Sequence, residues 1–134
     1  MPFIRSLVPQ HFSTAQRQAV VDGVHQALIE AIDMPADELF HAVQPHGPDN
    51  YFYSRSFNGV ARSDDAVVVE ITLRRGRSDA MKRTLYARIA AELATRAQVA
   101  PADVFIFMHE NDYSDWSVGH GRCAMALQQQ VGAG

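Results

Sequence analysis

Four groups of residues have types and spacings that could do chemistry. Pro2 stands behind Met1 and ahead of FIRSLV. With Met1 removed, its nitrogen becomes a secondary amine, and an α-amino group ordinarily titrates near ~8. Burial or neighbouring cations lower that value. A neutral nitrogen there could serve as a general base and a protonated one as a general acid. The second group is LRRGRS, where Arg75 and Arg77 are two apart at the end of an apolar run. Two guanidiniums turned to one side make a carboxylate receptor. Gly76 gives the chain room to bend, and a helix start behind it adds N–H groups that favour an anion. The third is PADELF, whose Asp37 and Glu38 could orient a water or polarise a substrate. The fourth is SDWSVGHG, whose Trp116 could wall a pocket or simply anchor a core. Each group also has a plainer reading as a chance terminus, a solvated loop or a packing residue.

These groups need elements to bring them together. Phe3 to Val8 reads as a strand ended by Pro9. STAQ offers a capping box, with Ser13 as N-cap and Gln16 three residues on. Val20, Val24, Ala27, Leu28 and Ala31 then form a helical stripe that Met34-Pro35 stops. ELFHAVQ has strand character, and YFYSRSF alternates like an exposed hairpin strand in a region rich in Pro, Gly, Asn, Asp and Ser. The pattern restarts at Ala66. AVVVEITL reads as a strand buried on both faces. Ser78 is a plausible N-cap for a helix marked by Met81, Leu85, Ile89 and Leu93, and DVFIFMHE follows as a strand.

The halves correspond. MPADELFHA at 34–42 aligns with APADVFIFM at 100–108, and the two helix starts fall within a residue of the same spacing. The expected fold is α/β (α+β): duplicated β-α-β units, about 1–65 and 66–134, each with a right-handed crossover between parallel strands. They should form one mainly parallel sheet with two helices on one face, in a single domain over 1–134.

Bulk properties exclude several classes. A net charge of -3 supplies no cationic field for nucleic acid or anionic membrane. No apolar run is long enough to span a bilayer, and the N-terminus is too short of features for a signal peptide. Cys123, the single cysteine, fits a reducing cytoplasm and reads as a small packing residue without a visible base partner. His41, His46, His109 and His120 lack metal-ligand spacing, so neither metal nor organic cofactor is expected.

Met-Pro at the start, LRRGRSDAMKRTLYARIA, APADVFIFMHEN and SDWSVGHGR together resemble the tautomerase superfamily, within it the malonate semialdehyde decarboxylase-like group. The resemblance spans nearly the whole chain and is weakest over 44–65. It implies fused β-α-β units assembled as a homotrimer and an amino-terminal proline acting as acid or base. It also implies arginines that hold a small carboxylate substrate. Pro2, Arg75 and Arg77 match those roles. Glu38, with Asp37 before it, falls where the decarboxylase has an aspartate, and the change displaces the carboxylate by one methylene. Trp116 matches the aromatic wall, and Val118 stands where the family often has Phe. The implied activity is cofactor-independent keto–enol tautomerisation or decarboxylation of an oxo-carboxylic acid. The alternative is a non-catalytic trimeric binding protein on the same scaffold.

Overall fold

The computed structural model describes residues 2–124. The expected loss of Met1, and most of the apolar CAMAL string, lie outside the described residues. Strand β1 (Phe3–Pro9) leads into helix α1 (Thr14–Ile32) and strand β2 (His41–His46). Strand β3 (Val67–Arg74) leads into helix α2 (Asp79–Ala97) and strand β4 (Val104–Asn111). The sheet runs β2-β1-β3-β4. β1 pairs β2 in parallel and β3 pairs β4 in parallel, while β1 and β3 meet antiparallel at the seam. The expected pair of β-α-β units is therefore present, joined through one antiparallel contact.

The repeat extends to local detail. Both helices have 19 residues, and they begin 65 positions apart at Thr14 and Asp79. Ser13 Oγ accepts from the Gln16 N–H and Ser78 Oγ accepts from the Met81 N–H, so serine satisfies an end donor in both copies. Both helices end on a left-handed residue, Asp33 (φ 55°) and Gln98 (φ 56°), whose N–H returns to Leu28 or Leu93. The capping box at Ser13 is only half formed. Gln16 does not reach back with its side chain; its amide donates to the Ala97 carbonyl and ties the start of α1 to the end of α2. The strands share the spacing of 65, since Ile4 pairs His41 and Val69 pairs Ile106. The Pro-Ala-Asp strings are 66 apart, so the first copy carries one extra residue between Glu38 and His41.

Right-handed crossovers in both halves put both helices on one face. Gly23 lets them approach, because a Cβ there would sit 3.1 Å from Leu93 Cδ2. Val20, Val24, Leu28, Leu85, Ile89 and Leu93 interlock with Ile4, Val8, Val67, Val69, Ile71 and Leu73 to form the core. Replacing any of these leucines by alanine should cost about 2–5 kcal/mol.

Two expectations about strands are corrected. Within one chain β3 is not buried on both faces: Val67, Val69, Ile71 and Leu73 are fully covered by the helices, whereas Val68, Glu70 and Thr72 are half-buried on the other side. Among the described residues no helix covers that second face. It exposes Phe3, Phe105 and Phe107 around a line of charge in which Glu70 meets Arg5 at 3.4 Å and His109 at 3.0 Å. YFYSRSF forms no hairpin strand either. Ser54 Oγ takes the N–H groups of Ser56 and Phe57, and the Arg62 guanidinium donates to the carbonyls of Ser54, Phe57 and Val60. Side chains thus satisfy a backbone that a ladder would otherwise have used.

Candidate active site

Four segments converge at one end of the sheet. The β1–β3 register pairs Phe3 with Thr72, so Pro2 begins its strand beside the point where β3 runs into Arg74–Arg77. The Ile4 N–H donates to Phe40 O at 2.9 Å, which brings the Asp37–Phe40 segment alongside the start of β1. Arg75 N–H donates to Asn111 O at 2.7 Å and ties in the segment after β4. Pro2 itself is buried, on the core side with Ile4.

The arginines are held in different ways. Gly76 turns the chain at φ +128°, a conformation that side chains rarely adopt. Arg75 is exposed, and its Nε donates to Asp112 Oδ1 at 2.7 Å, a hydrogen bond that raises its pKa. Its terminal nitrogens stay available beyond that bond. Arg77 is half-buried and its Nη1 donates to Arg74 O at 2.8 Å. Desolvation, then the Arg74 charge, lowers its pKa, while Tyr113, Glu38 and Glu110 act in the opposite sense. It remains a cation. A partly desolvated guanidinium is a stronger anion partner than one in open water.

The carboxylates divide as well. Glu38 is half-buried and its charge reaches Arg77, whereas Asp37 is exposed on the turn that Glu38 N–H closes onto Pro35 O at 3.1 Å. Of the two acids, Glu38 is the one whose charge acts on Arg77. Trp116 is half-buried and donates Nε1–H to Asn111 Oδ1 at 2.6 Å; Val118 is 51% exposed on the loop beyond it. That loop is closed by a Ser117–Cys123 bridge. The Cys123 thiol is directed at Tyr113 O, 3.9 Å away, so its polar contact is a backbone carbonyl.

The structure adds groups that sequence reasoning passed over. Arg74 lies over the Tyr113 ring, 4.5 Å from its centroid, and so packs against the segment after β4. Asp112 positions Arg75, and Asp115 receives the Asp112 N–H at 2.9 Å to fix that turn. Lys82 bonds Glu110 at 2.7 Å; that bond raises the lysine pKa and lowers the glutamate pKa. The acid-rich string ENDYSDW was the available signal, yet which acid meets which arginine depends on the β3–β4 register. A cavity of about 540 Å³ opens at the opposite end of the sheet, and none of these residues lines it.

Comparison with known proteins points in one direction. Two family models, each described as tautomerase enzyme, match residues 38–119 and 2–54. Probable tautomerase YusQ of Bacillus subtilis (strain 168) is 31% identical over 125 residues, covering 93% of this chain and 98% of that protein. The crystal structure of FG41 malonate semialdehyde decarboxylase inhibited by 3-bromopropiolate superposes with a TM-score of 0.88 at 33% identity, covering 96% of each chain. A fused 4-OT solved as a symmetric trimer superposes at 0.78 with 18% identity, covering 93% of this chain and 98% of that one, which speaks to the fold alone.

Proposed function

The chain belongs to the tautomerase family of enzymes, and on that premise we propose that it acts on a small oxo-carboxylic acid through the Pro2 nitrogen, once Met1 is removed. The observation that carries this reading is the register Phe3↔Thr72, which sets the start of β1 beside the arginine turn. Arg77, with the free side of Arg75, binds the substrate carboxylate. Glu38 stands near Arg77 to orient a water or a carbonyl, and Trp116 with Val118 walls the pocket. No metal or organic cofactor takes part.

Two reactions suit this arrangement. A neutral Pro2 nitrogen takes the enol O–H proton and returns a proton to the adjacent carbon, giving the ketone. A protonated one donates a hydrogen bond to a 3-oxo group while the C–C bond to the carboxylate breaks, and the resulting enolate then takes a proton at carbon. The burial of Pro2 and the cations of the turn favour the neutral form, and Glu38 opposes them. The first reaction is the one we favour.

Turnover assays with phenylenolpyruvate and malonate semialdehyde separate the two. Tautomerisation is expected to be the faster, with both Pro2→Ala and Arg77→Ala impaired. Wild-type rates in both variants would remove the proposal. We further propose a homotrimer in the cytoplasm, with the Phe3, Phe105 and Phe107 face packed against neighbouring copies. Light scattering should then give three times the 14.9 kDa of one chain.

A further inference from the structure

The internal twofold defines a counterpart of the candidate active site at the other end of the sheet. There the Gln10 N–H donates to His46 O at 2.8 Å, just as Arg75 N–H donates to Asn111 O at 2.7 Å. At the spacing of 65, Tyr51 occupies the place of Trp116, and Gln10 and Phe12 occupy those of Arg75 and Arg77. Val67 stands where Pro2 stands, in mid-chain. This end therefore keeps the backbone frame and the aromatic wall and has neither the amine nor the paired arginines. It nevertheless holds the cavity of about 540 Å³, lined by Gln10, His46, Tyr51, Tyr53, Arg55 and Asp64 among others.

We propose that this cavity is a second binding site, for an uncharged planar ring carrying a hydrogen-bonding edge, such as a phenol. The walls argue for a ring. Tyr51 and Tyr53 lie 4.8 Å apart, His46 lies 5.9 Å from Tyr51, and Arg55 covers Tyr53 at 4.7 Å. Aromatic faces of this kind favour stacked or edge-on rings. The charges argue for neutrality, since Arg55 is matched by Asp64 at 2.7 Å and His11 by Asp65 at 2.7 Å. Tyr51 is held neutral as well, its hydroxyl pushed up to about 12 by burial and then by Tyr53 and Asp103.

The polar edge is argued by His46 and Gln10. Both His46 ring nitrogens are buried with no hydrogen-bond partner among the described residues. A neutral imidazole offers one donor and one acceptor, and native structures rarely leave both unmet. The Gln10 amide adds a further donor and acceptor at the cavity wall.

Amide NMR of the full-length protein titrated with phenol tests this. Saturable shifts are expected at Gly47, Tyr51 and Tyr53, with Kd on the order of 1 mM for so small a probe. Benzoate should not shift these residues. His46→Phe keeps the ring and loses the nitrogens, and should weaken phenol about 5-fold. Tyr53→Leu is read in parallel, with the same loss expected, so that poor folding of either variant leaves the other informative. Pro2→Ala should change nothing at this end. Absence of shifts, shifts confined to the Pro2 end, preference for benzoate, or unchanged affinity in a folded variant would each overturn the proposal.

Discussion

The two ends of the sheet share one frame and differ in what the frame carries. At one end a strand begins with Pro2 beside a turn of three arginines; at the other its counterpart, Val67, follows a loop, beside Gln10 and Phe12. The difference is partly topological. A chain has one amino terminus, so duplication can copy the strand, the helix and the caps, and cannot copy a free amine. Similar asymmetry runs through the interior. Buried Ser6 and half-buried His41 form a polar pair across β1 and β2, with Ser6 Oγ 2.6 Å from His41 Nε2. At the matching positions the second half has Ile71 and Ile106. Asp103, in the second Pro-Ala-Asp string, is 5% exposed and binds both the N–H and the hydroxyl of Ser63 at 2.7 and 2.6 Å, whereas Asp37 in the first is exposed. Equal topology thus fixes where side chains stand, and their identities decide which chemical groups each end presents.

The comparison is broken most severely by Pro2→Ala. Loss of the secondary amine should lower kcat for the enol substrate by about 10³-fold, the scale of a general acid or base, with folding unchanged by circular dichroism. Arg77→Ala should lower kcat/KM about 100-fold through lost carboxylate binding, and phenol binding at the far end should be intact. Equal effects of these variants on both ends would contradict the division of roles.

The next effect belongs to the first half's polar pair. Burial, then the His25 charge, depresses His41 from 6.5 to about 4. A depressed histidine is neutral when folded and takes up a proton more readily when unfolded. Its contribution is therefore complete above pH 6.5 and is lost as pH falls toward 4. Urea titrations should show wild type losing about 2 kcal/mol more than His41→Gln between pH 7 and pH 5. Parallel curves would show that His41 is not held neutral.

Smaller effects sharpen the contrast. Asp103→Ala should destabilise by about 1 kcal/mol, because it removes a buried carboxylate that accepts both the N–H and the hydroxyl of Ser63. Asp37→Ala should change stability by no more than about 0.5 kcal/mol. His46→Phe should raise stability by about 1 kcal/mol, since it removes two unpaired buried nitrogens while keeping the ring. Measured by thermal melting, a clear loss in that last variant would mean that His46 has a bonded partner.

Much of the fold was legible because its signals are local. The serine caps, the four-residue step of Leu85, Ile89 and Leu93, and the repeated Pro-Ala-Asp each depend on neighbours in sequence. The hairpin misreading of YFYSRSF arose because alternation cannot reveal that Ser54 and Arg62 supply the backbone's partners. The apolar run of β3 was taken as doubly covered because composition does not say on which face both crossovers fall. In the site, the grouping of Pro2, Arg75, Arg77 and Glu38 came from the family resemblance; the antiparallel β1–β3 seam that sets the start of β1 beside the arginine turn has no local signal. The Asp112 grip on Arg75 and the Arg74–Tyr113 stack were not legible either, since each joins segments more than thirty residues apart through a register that no local pattern encodes. The spacing of 66 drawn from Pro-Ala-Asp also concealed the strand spacing of 65, and with it the match between the two ends.

The central claim is that Pro2 acts as a free, titrating amine. It is tested most directly by ¹⁵N NMR of labelled protein from its native host, following the six proline nitrogens across pH. One of them should titrate, and its signal should move when a small oxo-carboxylate is added and fail to respond to that ligand in Arg77→Ala. Six nitrogens that all behave as pH-independent amides would contradict the account.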